Sequence, residues 1–294
     1  MTLVQNPLDT SKQYGLKAEG GIWLVESTNL TIINNCNDTI WPGIAPNNNI
    51  SPPDNTTTTS GGFALKPGQS AVFSAPPGWN GRIWGRTGCN FDKTGTGSKC
   101  QTGDCGGTEK CISPGQPPAS IAQFAFGETD YYDVSLVDGF NLPIVIKPLN
   151  KNCSTAGCDS DLKTNCPSEL AVGGGSNGQT IACNSACNVF NTDEYCCRGA
   201  FNTPLTCKPT NYSTIFKKAC PAAYSYAYDD QSIITCSATD YIVSFCSSRN
   251  QTQCTYHDKN LYCSKSKGLR LSIQAWQILM LVLPAVINLL VMFS

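Results

Sequence analysis

Histidine is nearly absent: the 294 residues hold one, His257. That scarcity argues against a zinc site with paired histidines, and it leaves a Ser-His-Asp triad only if His257 serves it. Charge is scarce as well. Charged residues make up 14% of the chain, 20 basic against 21 acidic for a net charge of −1, and no basic block occurs. Nucleic acid is thereby excluded as a partner, because neutralising phosphates needs clustered cations. The run GGGSNG lacks the lysine and the strand–helix setting of a phosphate-binding loop, so it reads as a linker, and no cofactor is expected. The opening MTLVQNPLDTSKQYGLKAEGG has no basic stretch followed by an apolar one, and residues 1–28 read as an atypical N-terminal extension without a clear leader.

Cysteine is what the chain has in excess. There are 18, an even number at irregular spacings. So many thiols would be reactive in a reducing cytosol, so the count implies an oxidising compartment and a disulfide framework. Each native bridge contributes about 2–4 kcal/mol, enough to hold a loop-rich chain without one large core. Seven Asn-x-Ser/Thr sequons, at Asn29, Asn37, Asn49, Asn55, Asn152, Asn211 and Asn250, agree with export.

Residues 273–293 form an apolar run long enough to cross roughly 30 Å of hydrocarbon. Lys265, Lys267 and Arg270 precede it, on the wrong side for a span with a lumenal N-terminal domain. A removable glycolipid-anchor signal with attachment near Ser264 or Ser266 fits better than a retained span. Both readings place the protein outside the cell or on the outer face of the plasma membrane.

Between the ends run short β-rich segments bounded by Pro, Gly and Asn: 30–35, 63–76, 82–87, 120–126, 131–138 and 241–246. In YYDVSLVD the alternation puts Tyr132, Val134 and Leu136 on one face and Tyr131, Asp133 and Ser135 on the other. Repeated short strands without long helical patterns predict a mainly β sandwich or barrel. From Cys153 to Cys220 the texture changes to a disulfide-rich lobe with two helix candidates, 180–190 and 211–220.

The segments TIINNCNDTIWPGI, GWNGRIWGRTGCNFD, CQTGDCGG, PPASIAQFAF, YYDVSLVDGFNLPIVI, CNSACNVFNTDEYCC, ACPAAYSYAYDD and YIVSFC follow one another in an order that resembles the thaumatin-like, pathogenesis-related family. CQTGDCGG is the most specific of them. The resemblance covers residues 30–246 and implies a flattened sandwich of about eleven strands. It implies a domain over 29–248, with a disulfide-rich lobe near 158–220 and a small loop lobe near 87–119. A linker with an extra cysteine pair (249–272) and the tail (273–294) follow. It also implies the bridges Cys36–Cys246, Cys89–Cys100, Cys105–Cys111, Cys153–Cys236, Cys158–Cys220, Cys166–Cys183, Cys187–Cys196 and Cys197–Cys207, leaving Cys254 to pair with Cys263. Adjacent Cys196 and Cys197 cannot readily bridge each other, which is consistent with that pattern.

Many members of the family have a cleft lined by one Arg, one Glu and three Asp. The resemblance assigns those places to Arg86, Gln123, Asp133, Asp138 and Asp229, with Asp230 as the alternative to the last. An amide stands at Gln123 where the glutamate is expected. Glycoside hydrolysis needs two carboxyl groups, and an amide supplies neither the proton nor the nucleophile. It does offer both a donor and an acceptor to sugar hydroxyls. The expected function is therefore binding of β-1,3-glucan or a related polysaccharide by a monomeric, wall-associated defence protein with antifungal action. The rival readings are an endo-β-1,3-glucanase with an altered acid and a surface module for protein contacts. Tyr131 is the best stacking candidate, ahead of Phe91, Phe140, Tyr226 and Tyr228. Asp138, before Gly139, also fits an ordinary turn.

Overall fold

A computed structural model describes residues 27–47, 61–173, 178–229, 234–237 and 239–247, together with the backbone of 13–16, 22–25, 252–257 and 260–265. Eleven strands make two sheets. In chain order they are β1 (Thr28–Asn34), β2 (Trp41–Pro46), β3 (Gly61–Gly62), β4 (Ser70–Ala75), β5 (Asn80–Arg86), β6 (Ile121–Ala125), β7 (Asp130–Ser135), β8 (Ile144–Pro148), β9 (Ala156–Cys158), β10 (Ile234–Cys236) and β11 (Tyr241–Phe245). The six-stranded sheet runs β10-β7-β6-β5-β2-β3 and the five-stranded sheet β9-β8-β11-β1-β4. This is the mainly β, sandwich-like architecture expected from the sequence.

Alternation explains the layering. On β6 and β7 the residues Ala122, Phe124, Tyr132 and Val134 are buried, and their neighbours on the other face are more open. They meet Leu30, Ile32, Tyr241 and Phe245 from the other sheet in one core. The Tyr241 hydroxyl in that core donates to Asp130 Oδ2 at 2.8 Å, so neither polar group is left orphaned there.

All sheet pairings are antiparallel except β11 with β1. Parallel neighbours cannot be joined by a tight hairpin, and here they are almost the whole domain apart in sequence. The Cys36–Cys246 bridge ties the ends of this pair across a separation of 210 residues. In the chain-entropy account a loop of that length is worth about 5.4 kcal/mol. Seven further bridges join Cys89–Cys100, Cys105–Cys111, Cys153–Cys236, Cys158–Cys220, Cys166–Cys183, Cys187–Cys196 and Cys197–Cys207.

Among the described residues the lobe holds three α-helices, α1 (Ala186–Phe190), α2 (Asp193–Cys196) and α3 (Asn211–Ala219). α3 starts where the sequence predicts it, behind a capping box in which Thr210 and Ser213 bind each other's backbone N–H. The helix candidate 180–190 is split instead. Thr180–Cys183 is a strand paired with Ala171–Gly173, and Cys183 exchanges two backbone hydrogen bonds of 2.7 Å with Phe140. Ser185 then caps α1 by accepting from the Asn188 N–H. Tertiary pairing outweighs helical periodicity in this segment.

Within the expected linker, Thr252–His257 and Asn260–Lys265 pair as an antiparallel hairpin with Cys254 and Cys263 as Cα partners. The expected tail at 273–294, Ser266, and the sequons at Asn49, Asn55 and Asn250 lie outside the described residues. Among the described residues no helix is long and apolar enough to cross a membrane.

Candidate functional site

The open face of the six-stranded sheet gathers the candidate polar residues by register. Gln123 on β6 is the Cα partner of Asp133 on β7 and of Arg82 on β5. Strand spacing therefore sets about 9–10 Å between the Asp133 and Arg82 backbones, with Gln123 between them. Two residues along, about 7 Å away, a second row holds Tyr131 beside Thr235 and Ala125, with Asn80 next to Ala125. Tyr131 is 52% exposed, so its ring is offered to solvent at the edge of the polar row.

Asp133 is the most perturbed group on this face. Its Oδ1 is buried and has no hydrogen-bond partner. Desolvation without compensation disfavours the charged form, and the carboxyl is pushed up from 3.8 to about 7. Near neutrality the group is thus shared between a protonated form, which donates one hydrogen bond, and an ionised form, which only accepts. Burial also raises Asp138, and the charge of Arg82 pulls it partly back. Asp138 occupies a turn as well: Gly139 follows at φ +94°, and a Cβ there would stand 2.6 Å from the Cys183 carbonyl oxygen. The Asp138 carbonyl accepts from Ala119 N–H and Asn188 Nδ2, which joins this turn to the disulfide-rich lobe. The backbone of Asp138 thus serves the turn, while its side chain lies close enough to Arg82 to feel its charge.

Arg86 requires a correction. It lies four residues beyond Arg82, about 13 Å along the same strand, and is completely buried under the small loop lobe. Its guanidinium donates to the carbonyl oxygens of Trp41, Thr108 and Glu109 at 2.9, 2.8 and 2.6 Å and stands over the Phe91 ring. Burial lowers its pKa to about 10, opposed by Asp104 and Glu109, so it stays cationic and tethered. It reads as a structural bolt for the loop that carries CQTGDCGG, with no face left for a ligand. The cation on the polar face is Arg82, whose Nε donates to Asn47 Oδ1 at 2.8 Å. Asn47 in turn donates to Asn80 Oδ1 at 2.5 Å.

Asp229 is placed apart as well. Its carboxylate pairs with Lys217 Nζ at 2.9 Å and accepts from both the N–H and the hydroxyl of Ser225 at 3.0 Å. It borders a hollow of about 510 Å³ on the α3 side of the lobe, lined also by Tyr226 and Tyr228. Phe140 is core, fully buried; Phe91 packs edge-on against Trp41; Tyr228 donates to the Asn202 carbonyl. Tyr131 is the one stacking candidate that is exposed at its strand. Arg82 escaped the sequence reading because GRIWGRT holds two arginines of equal parity. Only the pairing partner, Gln123 for one and buried loop carbonyls for the other, separates them.

Among the described residues no group of three or more His, Cys, Asp and Glu could hold a metal ion. The family described as "Thaumatin family" matches residues 34–247. The chain is 51% identical over 226 residues to "Pathogenesis-related thaumatin-like protein 3.5" of Cryptomeria japonica, covering 76% of this chain and 91% of the relative. It is 50% identical over 228 residues to "Pathogenesis-related protein 5" of Arabidopsis thaliana, again covering 76% and 91%. Among solved structures it aligns with a thaumatin-like xylanase inhibitor at 24% identity and a TM-score of 0.41, over 74% of this chain and 99% of the other. With a family match over residues 34–247, and about half of the aligned residues identical in relatives covered over 91% of their length, the chain belongs to the thaumatin family.

Proposed function

We propose that the open face of the six-stranded sheet binds a neutral polysaccharide, β-1,3-glucan or a close relative, as part of a secreted defence protein acting on fungal walls. One observation carries this reading. Asp133 presents a buried, unpartnered carboxylate oxygen beside Gln123, with Arg82 beyond it and the exposed Tyr131 ring one row away. Leaving a polar atom unpaired in a folded protein is costly, and turning this half-buried side chain outward to a sugar hydroxyl would satisfy it. Gln123 can donate to and accept from neighbouring hydroxyls, and the tyrosine ring supplies an apolar face for a sugar. The mixture of neutral and singly charged groups suits an uncharged polyol better than an anion.

Titration calorimetry with soluble β-1,3-glucan tests it. Asp133→Ala and Tyr131→Ala should each weaken binding at least tenfold, with folding checked by circular dichroism. Unchanged affinity in both variants would move the site elsewhere. Hydrolysis is the second reading, supported by the carboxyl of Asp133 titrating near neutrality as a general acid does. It would show as reducing ends released from laminarin by the native protein. Attachment to the outer plasma membrane through a glycolipid near Ser264 or Ser266 is part of the proposal, and a phospholipase specific for such anchors should release the protein.

A further inference from the structure

Three rings cluster on the disulfide-rich lobe. Phe190 lies 5.3 Å from Tyr195 and 5.4 Å from Tyr212, and the two tyrosines are 5.7 Å apart, centroid to centroid. The Cys187–Cys196 bridge ties α1 to α2 and fixes Phe190 and Tyr195 side by side. Tyr212 donates to Glu169 Oε1 at 2.7 Å. The cluster is not closed: Val189 and Phe190 remain 40% and 37% exposed. Beside it lies an open hollow of about 730 Å³, with Glu169, Glu194, Tyr195, Lys208, Asn211 and Tyr212 in its lining. That volume is within the roughly 300–1,000 Å³ of small-ligand pockets.

Asn211 begins the sequon Asn211-Tyr212-Ser213, and it is an exposed residue on the lip of this hollow. Asn29 differs: its amide donates to Asp240 and accepts from Ser74. We infer that Asn211 carries an N-linked oligosaccharide whose first sugar lies over the Tyr195 and Tyr212 rings, so that the hollow seats the chain's own glycan. The inference rests on export through the secretory lumen, and it concerns a different part of the molecule from the polysaccharide face. In the transfer, Asn211 Nδ2 forms a bond to the anomeric carbon of a lipid-pyrophosphate-linked oligosaccharide. The bond from that carbon to the pyrophosphate oxygen breaks, the lipid pyrophosphate leaves, and the amide proton passes to the transferase. Transfer precedes folding here, because Ser213 becomes buried and its hydroxyl is taken up by the Thr210 capping box. After folding, the aromatic faces meet the apolar side of the sugar ring, and the two glutamates accept from its hydroxyls.

The experiment expresses the full chain in a eukaryotic secretory host and maps its glycopeptides by mass spectrometry. The protein and its Asn211→Gln variant are then trimmed with an endoglycosidase that leaves one N-acetylglucosamine on each site. Occupied Asn211 is expected, and the trimmed native protein should melt about 2–4 °C above the trimmed variant, the scale of one modest contact in a domain of this size. Tyr212→Ala should keep the glycan and abolish that difference. Glycans at Asn37 or Asn152 with Asn211 bare would overturn the inference and leave export intact. Bare asparagine at every sequon would overturn both. Equal melting temperatures with Asn211 occupied would overturn the packing of the sugar on the rings.

Discussion

Replacing Asp133 by asparagine tests the site through stability before any ligand is added. The substitution keeps the shape of the side chain and removes its titration. In the folded protein the Asp133 carboxyl is raised to about 7 by burial, against 3.8 for an ordinary carboxylate. Below pH 3.8 both folded and unfolded chains hold the proton, and the group costs nothing by ionising. Between 3.8 and about 7 the unfolded chain releases its proton while the folded chain keeps it, so folding stability falls as pH rises. Above about 7 both are ionised, and the full cost of a buried carboxylate is present. At about 1.4 kcal/mol per pH unit the interval amounts to about 4 kcal/mol as an upper bound. Half of it, about 2 kcal/mol, would move the melting temperature of a domain of this size by about 4–8 °C. The assay is thermal or denaturant unfolding of both proteins from pH 3.5 to 8.5 at constant ionic strength. Asp138 also titrates with a raised pKa, but it is common to both proteins and cancels in the difference. The difference in stability should grow in favour of Asp133→Asn from pH 4 to pH 7 and then level off. Any cost of burying an amide in place of the acid is an offset that does not vary with pH. Parallel pH profiles would refute the reasoning, because they would mean that the carboxyl is solvated or paired.

Arg86→Met should destabilise by at least about 2 kcal/mol, since three carbonyl oxygens lose their donor, while glucan affinity of the folded fraction stays within twofold; Arg82→Met should do the reverse. Paired unfolding and calorimetry curves check both, and a binding loss confined to Arg86→Met would restore the arginine that the sequence favoured. Gln123→Glu sets a second carboxyl on the strand directly across from Asp133, with the two Cβ atoms about 4.5–5.5 Å apart. Laminarin cleavage should appear or rise by roughly 10²–10⁴-fold in a reducing-sugar assay; a drop in stability of about 1–3 kcal/mol without activity would show that the position is only structural. Cys254 and Cys263 are Cα partners in their hairpin, and non-reducing peptide mapping is expected to find them joined. Free thiol at both would contradict that pairing.

The sequence by itself determined the class and the frame. Cysteine excess, sequons and short alternating runs were enough for a disulfide-bonded, mainly β chain, because composition and period are local properties. YYDVSLVD assigned the faces of β7 before any sheet was known, since alternation depends only on the pleat. What the sequence could not decide were matters of partnership. Segment 180–190 carries helical spacing throughout, yet its first half is drawn into a strand by Phe140 and Ala171–Gly173, residues distant in the chain or fixed by a bridge. Arg82 and Arg86 share a strand, a face and nearly the same neighbours in sequence. One is paired with Gln123 on the open face and the other is sunk beneath a loop that begins at the next residue. Asp133 and Asp229 were alike on paper. In the fold one is left with a buried oxygen unpartnered, and the other is held by Lys217 and Ser225. Burial and pairing are set by segments that meet only when the sheets close, so the tertiary structure alone could separate the carboxylate left without a partner from the one already paired.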